Sequence, residues 1–515
     1  MNRCTSSLPA TSKSGPVVES FSGWRITATV LMVVCAIYAS TVRLSGDDFW
    51  LQAKIGELIV QDHAIPRTLL FPFTEIASEN FNAHEWLLSI AFHYGLVILG
   101  EDGMSFLIGG LGLALFIAMA RLTYLRSDGN YAIALMGGYV TLLAENYRHV
   151  LRPELPALIL MAILWNLLEA FKTKPSLRHA LWVAFIMVVW ANSHGSFILG
   201  PVMVGIYSAG LYVDELVDSG SRTWLPSPSI LPWFGLLLMT SVCCLINPFG
   251  WELIEFVFSF STTSDASKHL TEWLPTLADT RLLNVRGFWI AIMVWLLLTA
   301  LIIVGRRRVG AVEWLFFLAF TFLAYRAIRF PVYLGMVAAY IVPACLPADW
   351  RQKSHEFRLL KICSAVAFAT LMGVVWYGNA AENRPFTLGD KTKFTVPMIK
   401  VLSDPSLHGN VLNSMEFGAE LIYLSYPRLR PSVDARFDSY GSDYNLFNEA
   451  LLHNDKLLDE YVERYDVPYL LINHTQFESF KRLTNWTSAR WRIYFLDQRA
   501  VLLQRSDVRQ GRPVS

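Results

Sequence analysis

Long runs of apolar residues, separated by short polar connections, make up most of the chain before residue 380. The first run, 23–44, has about the length that a helix needs to cross roughly 30 Å of hydrocarbon. Further spans are predicted near residues 104–121, 130–146, 155–171, 180–193, 197–216, 230–246, 286–304, 311–325, 330–347 and 359–377. The pattern therefore predicts an α-helical polytopic membrane protein with about eleven transmembrane helices.

The segment 45–103 is too polar to span a membrane and is predicted to form the first outer loop. Within it, 49–60 gathers its large apolar residues on one helical face, with Lys54 and Glu57 elsewhere. This is the pattern of a helix that lies in the plane of the membrane surface. The segment 85–99 is a second candidate for such an interfacial helix.

The two ends of the chain differ from the apolar part. Residues 1–22 are polar and predict a short disordered cytoplasmic tail, followed by the uncleaved anchor that begins the transmembrane domain, 23–379. In 380–515 charge rises and short apolar runs at 411–412, 467–472 and 493–503 alternate with helix-like stretches at 416–425, 445–464 and 476–482. That alternation predicts a small α/β domain outside the membrane.

Composition agrees with a membrane protein and excludes other classes. Of 515 residues, 54% are hydrophobic and only 17% are charged, which is below the fraction usual in soluble domains. The net charge of +1 gives no electrostatic support for nucleic-acid binding. The six cysteines form no CxxC pair or Cys/His cluster, so neither a disulfide framework nor a zinc site is predicted.

The distribution of Lys and Arg predicts the orientation. Alternate short loops are basic, including Arg121 with Arg126 and the run 306–308, whereas the other loops contain fewer such residues. Because basic loops remain cytoplasmic, the N-terminus is predicted inside and the C-terminal domain outside, in the inner (plasma) membrane of a bacterium. Polar residues at the ends of the spans concentrate on the outer side, and they predict a polar cavity open to that side.

Short motifs in a fixed order suggest a family. They are Asp47-Asp48-Phe49-Trp50, Pro66-Arg67, His84-Glu85-Trp86-Leu87, Arg152-Pro153, Trp190-Ala191-Asn192-Ser193-His194-Gly195, Asn247-Pro248-Phe249-Gly250, Glu272-Trp273, Asn413-Ser414-Met415-Glu416-Phe417-Gly418 and Asp434-Ala435-Arg436-Phe437-Asp438. With the first outer loop and the C-terminal domain, they resemble a poorly characterised bacterial branch of the GT-C superfamily of polyprenyl-phosphate-dependent glycosyltransferases. That branch usually has one residue between the two acids, whereas Asp47 and Asp48 are adjacent here.

The resemblance implies transfer of a sugar from a polyprenyl-phosphate donor to an extracytoplasmic glycan, lipid or protein acceptor, with inversion expected from direct displacement. It implies a catalytic base among the first-loop acids, Asp48 first and Asp47 second. The residues expected to bind the donor phosphate are Arg152, His194, Arg326 and Arg329, with the last two near one helical face. The residues expected to line the substrate cavity are His84, Glu85, Trp86, Asn192, Asn247 and Glu272. Some members use a divalent metal, so Mg²⁺ or Mn²⁺ is a candidate cofactor, although no ligand spacing requires it.

Simpler interpretations stay open for each group. Asp47 and Asp48 could cap the interfacial helix, Arg326 and Arg329 could extend to lipid headgroups, and Asn247 could only stabilise a turn. At the level of function, the alternatives are a transporter or flippase of a lipid-linked saccharide and a non-catalytic envelope assembly protein. A transporter predicts inverted repeats, and the sequence shows none.

Overall fold

The computed structural model describes residues 16–44, 46–145, 149–219, 227–263, 273, 275–276, 286–380, 393–434, 436–451, 453–475 and 490–506. The helices before residue 381 are α1 (Pro16–Ser40), α2 (Asp47–Asp62), α3 (Trp86–Arg126), α4 (Tyr131–Glu145), α5 (Glu154–Thr173), α6 (Leu177–Ala191), α7 (Leu199–Ser219), α8 (Leu231–Cys243), α9 (Trp251–Thr263), α10 (Arg286–Gly305), α11 (Ala311–Arg326), α12 (Pro331–Cys345), α13 (Ala348–Arg351) and α14 (Lys353–Ala380). Helix α1 thus begins inside the tail predicted to be disordered.

The apolar helices make a multi-pass membrane protein. Four segments of the described residues are long and apolar enough to cross a membrane: Gly23–Ser40, Trp86–Arg126, Glu154–Thr173 and Gly195–Asp218. Five further apolar helices in that part of the chain are 10–17 residues long, which is short for a perpendicular crossing. The helical membrane domain is confirmed, and the number of eleven spans stays a prediction.

Two helices of the first loop form its framework. Helix α2 covers the predicted amphipathic segment, and the second predicted interfacial helix is continuous with the following span in α3. A kink at Gly100, where φ is 64°, separates the two parts of α3. The backbones of α2 and α3 are in direct contact at Gly56. A Cβ atom at this position would lie 2.0 Å from the carbonyl oxygen of Ser89, so only glycine fits there. This close packing fixes the position of α2 relative to α3.

The C-terminal region is the predicted α/β domain. A five-stranded sheet in the order β2-β1-β3-β5-β4 combines parallel pairing of β1 with β2 and β3 and antiparallel pairing of β5 with β3 and β4. Its strands are β1 (Gly409–Asn413), β2 (Leu429–Pro431), β3 (Tyr469–Asn473), β4 (Trp491–Leu496) and β5 (Ala500–Arg505). Its helices are α15 (Val396–Leu402), α16 (Gly418–Ser425), α17 (Phe437–Tyr440), α18 (Ser442–Leu451) and α19 (Asp455–Arg464).

Two predicted elements of this domain are divided in the structure. The apolar run at 493–503 is a hairpin of β4 and β5, since a turn at 497–499 interrupts it. The predicted helix at 445–464 is two helices, because the Asn454 side chain accepts a hydrogen bond from the backbone N–H of Leu457 and starts α19. The helix predicted at 476–482 lies outside the described residues.

The C-terminal domain packs on the first loop. Helix α16 lies against α2, where buried Ala419 and Ile422 join Leu51 and Ile55 in one apolar cluster. The guanidinium of Arg436 donates to the carbonyl oxygen of Leu69 at 2.8 Å and forms a buried ion pair with Asp434 at 2.6 Å. Burial lowers the pKa of Arg436, but the nearby Asp434 carboxylate and Tyr440 raise it by more than burial lowers it. The net shift of the pKa is upward, so the arginine stays charged.

Replacing Arg436 with methionine is expected to destabilise the protein by about 3–5 kcal/mol, because Asp434 would remain buried without its counterion. Thermal or denaturant unfolding of the purified chain measures this change. Arg490→Met is the matched control, since Arg490 pairs with Asp459 at a surface where both side chains are 48% exposed. Such a pair contributes about 0–1 kcal/mol. Equal losses in the two variants would contradict the structural role of Arg436.

Candidate functional site

The site begins at the start of α2, where Asp48 meets Arg152. The Nε atom of Arg152 lies 3.1 Å from Oδ2 of Asp48. The turn into α2 depends on Gly46, whose φ of 117° is a conformation that side chains disfavour. A Cβ on Gly46 would lie 4.0 Å from the Arg152 Nε atom, so the arginine passes directly over this turn. Asp47 is the first residue of α2, and its side chain lies outside the described ones.

One turn along the same face of α2, Gln52 reaches Glu85. Residues four apart share a helical face, so Asp48 and Gln52 point to the same side of α2. The Gln52 Nε2 atom donates to Oε2 of Glu85 at 2.5 Å, and the Ser89 hydroxyl donates to Oε1 of Gln52. This face of α2 therefore brings the predicted catalytic acid and the predicted cavity residue Glu85 into one neighbourhood.

Two histidines approach the same carboxylate oxygen. The Nε2 atoms of His84 and His194 each lie 3.8 Å from Oε1 of Glu85. His194 Nδ1 accepts the backbone N–H of Ser196 at 3.1 Å, so the hydrogen-bond pattern assigns its proton to Nε2, facing Glu85. His84 donates from Nδ1 to the carbonyl oxygen of Asn82 at 3.0 Å. Burial lowers the pKa of His84 and favours its neutral form.

The predicted cavity residues Trp86, Asn192 and Asn247 hold loops together. The Trp86 indole donates to Oδ1 of Asn192 at 2.9 Å, and the Asn192 amide donates to the carbonyl oxygen of Ile246 at 2.7 Å. Asn247 accepts the backbone N–H groups of Phe249 at 2.9 Å and of Gly250 at 2.8 Å, which makes a turn before α9. These side chains fix the loops that carry His84, Glu85 and His194.

The predicted pairing of Arg326 and Arg329 on one helical face is wrong. Helix α11 ends at Arg326, and the next residue is extended at φ −157° and ψ 145°, so the chain changes direction between the two arginines. Arg326 is exposed at the helix end. Arg329 lies 3.9 Å from Glu154, with its guanidinium carbon 4.5 Å from the ring centre of Trp273. Glu272 lies outside the described residues.

The sequence interpretation gave no role in the site to Gln52 or to Glu154. Glu154 begins α5 two residues after Arg152, and both line a small cavity with Glu145. The four-residue spacing of Asp48 and Gln52 on an amphipathic helix was the available signal for Gln52. Nothing in the sequence indicated that Glu154 would approach Arg329, because a contact between residues far apart in the chain depends on the fold.

The described residues give a divalent cation no ready ligand set. Among them, no group of three or more His, Cys, Asp or Glu side chains is placed to hold a metal ion. Asp48, the best candidate ligand of the first loop, already faces the guanidinium of Arg152. The described residues thus do not fit a preformed metal centre.

Sequence comparison finds no matching protein-family model and no matching curated protein. Structural comparison finds the oligosaccharyltransferase AglB of Archaeoglobus fulgidus in complex with an inhibitory peptide and a dolichol-phosphate, at 13% identity and a TM-score of 0.55. The match covers 95% of this chain and 75% of that one. A second AglB structure, which contains Zn and sulfate, matches at 12% identity and a TM-score of 0.55 over 90% of this chain and 69% of that one.

The third similar structure is ArnT of Cupriavidus metallidurans bound to undecaprenyl phosphate. It is 12% identical to this chain, with a TM-score of 0.51. The match covers 95% of this chain and 98% of that one. At these identities the likeness concerns the fold. The chain has a GT-C-like fold, as the motifs of its sequence predict.

Proposed function

We propose that the chain is a membrane glycosyltransferase that transfers a sugar from a polyprenyl-phosphate donor to an extracytoplasmic glycan, lipid or protein acceptor. The observation that carries the proposal is the placement of Asp48 against Arg152 at 3.1 Å, at the start of α2 in a chain with a GT-C-like fold. A carboxylate can take the proton of the attacking hydroxyl, and a guanidinium beside it can stabilise the negative charge on the departing phosphate. The AglB and ArnT structures hold dolichol-phosphate and undecaprenyl phosphate, which supports a lipid phosphate as the donor carrier.

In the proposed reaction an acceptor hydroxyl attacks the anomeric carbon of the donor sugar. The new C–O bond forms as the bond from this carbon to the phosphate oxygen breaks, which inverts the anomeric configuration. Asp48 takes the proton of the attacking hydroxyl, the task of a positioned general base. Asp47 precedes it on α2 and is the second candidate for this task.

The departing phosphate carries away the electron pair of the broken bond and needs cations beside it. Arg152 lies next to the base, and its planar fork of donors suits a phosphate. The guanidinium of Arg329 lies over the ring of Trp273, and it also forms an ion pair with Glu154. These two contacts fix the direction of the Arg329 side chain. His194 presents an N–H toward Glu85 and is a further donor, and Arg326 completes the proposed set from the end of α11.

The proposed cavity around these groups uses those of the remaining predicted residues that the structure describes. His84, Glu85, Trp86, Asn192 and Asn247 contribute its polar wall and the loops behind it. Reconstitution into liposomes that contain radiolabelled polyprenyl-phosphate sugars, with membrane glycans as acceptors, tests the function. Transfer of label to an acceptor is expected. Translocation of the donor without transfer would instead identify a flippase, and neither outcome would favour an assembly protein.

The proposed orientation places the N-terminus in the cytoplasm and residues 380–515 outside the inner membrane of a bacterium. Alkaline phosphatase fused after Ala380, the end of α14, is therefore expected to be active, because this enzyme needs the oxidising exterior. The same enzyme fused after Arg308, in a basic loop predicted to be cytoplasmic, is expected to be inactive. The reverse pattern would place Asp48 in the cytoplasm and overturn the proposed function.

A further inference from the structure

A large cavity lies between the first loop and the C-terminal domain. Its volume is about 960 Å³, at the upper end of the range for small-molecule sites. One wall is the first-loop segment 74–80, and the other consists of residues from α17, α18 and α19. None of the residues assigned above to the donor phosphate or the base lines it.

The wall from the C-terminal domain is aromatic. The rings of Tyr440 and Tyr444 stack with centres 5.6 Å apart and planes 16° apart. Tyr461 contacts Tyr465 at 4.8 Å between ring centres, and Phe447 at 6.0 Å. Phe447 is 40% exposed, so its ring is accessible from the cavity that it lines. Such rings offer flat apolar faces for contact with a ligand.

The opposite wall and the rim are acidic and rich in hydrogen-bonding groups. Glu75 accepts hydrogen bonds from the Tyr465 hydroxyl at 2.7 Å and from Arg464 at 3.2 Å. Among the described residues that line the cavity, the one cationic side chain is that of Arg464, and it is paired with Glu75, whereas Glu79 and Glu460 are exposed. An anionic ligand would meet excess negative charge here. A ligand with many hydroxyl donors and apolar faces, but without charge, fits both walls.

The cavity is close to the candidate site. Asn80 lines the cavity and His84 approaches Glu85, and four residues of chain span at most about 14 Å. An extended ligand in the cavity that spans this distance therefore approaches the neighbourhood of His84 and Glu85. We propose that this cavity binds an uncharged saccharide chain and presents its end to the site as the acceptor. The role of acceptor rests on the proposed function, whereas the binding of the saccharide does not.

Binding to the full chain in lipid nanodiscs tests the inference without any donor. The probes are neutral oligosaccharides, sulfated oligosaccharides and an oligolysine peptide, each titrated to millimolar concentration. Neutral oligosaccharides are expected to bind, and Phe447→Ala is expected to weaken them about tenfold by removing an aromatic contact. Glu460→Gln is expected to weaken them about threefold to tenfold through the loss of a charged hydrogen-bond acceptor.

Ile493→Ala is the matched control, because Ile493 is an apolar residue of the same domain, 48% exposed on β4 and outside the cavity. It is expected to bind like the wild type. The inference is overturned by wild-type protein that binds no neutral oligosaccharide, by stronger binding of the sulfated probes or of oligolysine, or by equal binding in the Phe447 and Ile493 variants.

The Asp48→Asn variant separates this inference from the proposed function. It is expected to bind neutral oligosaccharides like the wild type, since Asp48 does not line the cavity. Binding without transfer by the wild type would contradict the glycosyltransferase proposal and leave the saccharide site intact. Transfer without any change in the Phe447 variant would contradict the saccharide site and leave the glycosyltransferase proposal intact.

Discussion

Asp48→Asn is expected to lower sugar transfer by about 10²–10⁴-fold, the contribution of a positioned general base. The amide has nearly the shape of the carboxylate but cannot take the proton of the attacking hydroxyl. Folding should change little, because the Asp48 side chain is 41% exposed and its ion pair with Arg152 contributes about 0–1 kcal/mol. Initial rates in proteoliposomes, with unfolding measured on the same preparations, give both quantities.

The matched control is Asp62→Asn, which removes an exposed carboxylate from the other end of α2. It is expected to retain wild-type transfer. Asp47→Asn decides between the two adjacent acids, since only the true base should show the large loss. Wild-type rates in both the Asp47 and the Asp48 variant would refute the assignment of the base to α2.

Arg152→Gln is expected to lower the rate constant of transfer by about 10²–10³-fold, the usual loss when one donor to a developing negative charge is removed. Arg152→Lys should recover part of the rate, because it keeps the charge but not the planar pair of donors. The loss should appear mainly in kcat, since the charge on the phosphate oxygen grows as the bond breaks.

Arg43→Gln provides the comparison for Arg152, since Arg43 is an exposed arginine just after α1. Its transfer rate should equal that of the wild type. The double variant of Asp48 and Arg152 adds a further test, because two groups that act in one step give non-additive losses. Fully additive losses would show that the 3.1 Å contact has no role in the reaction.

The fold class was predictable because long apolar runs leave few alternatives in a membrane. The polar stretch 100–103 interrupts the apolar run, so the hydrophobic pattern separated the second interfacial helix from the next span. The structure instead continues through this stretch as one helix that is kinked at Gly100. Strand β2 was missed because three residues that end in Pro431 carry almost no strand pattern.

The sequence named candidate site residues but did not give their arrangement. The order of short motifs pointed to Asp48, Arg152, Glu85 and His194, and the structure places the first pair and the last pair in contact. Arg326 and Arg329 are three residues apart, which suggested that they share one face of a helix. Helix α11 ends at Arg326, however, so the two side chains do not belong to the same helix. Periodicity describes neighbours within a helix and gives no information about where that helix stops.

The attachment of the C-terminal domain to the first loop uses main-chain acceptors. The Arg430 guanidinium donates to the carbonyl oxygen of Pro72 at 2.7 Å, and the Arg436 guanidinium donates to the carbonyl oxygen of Leu69. In the other direction, the backbone N–H of Phe73 donates to the carbonyl oxygen of Pro431 at 3.2 Å. Carbonyl groups are present whatever the side chain. Substitutions in this stretch of the loop therefore leave these acceptors in place, and the two arginines keep the C-terminal domain attached to the first loop.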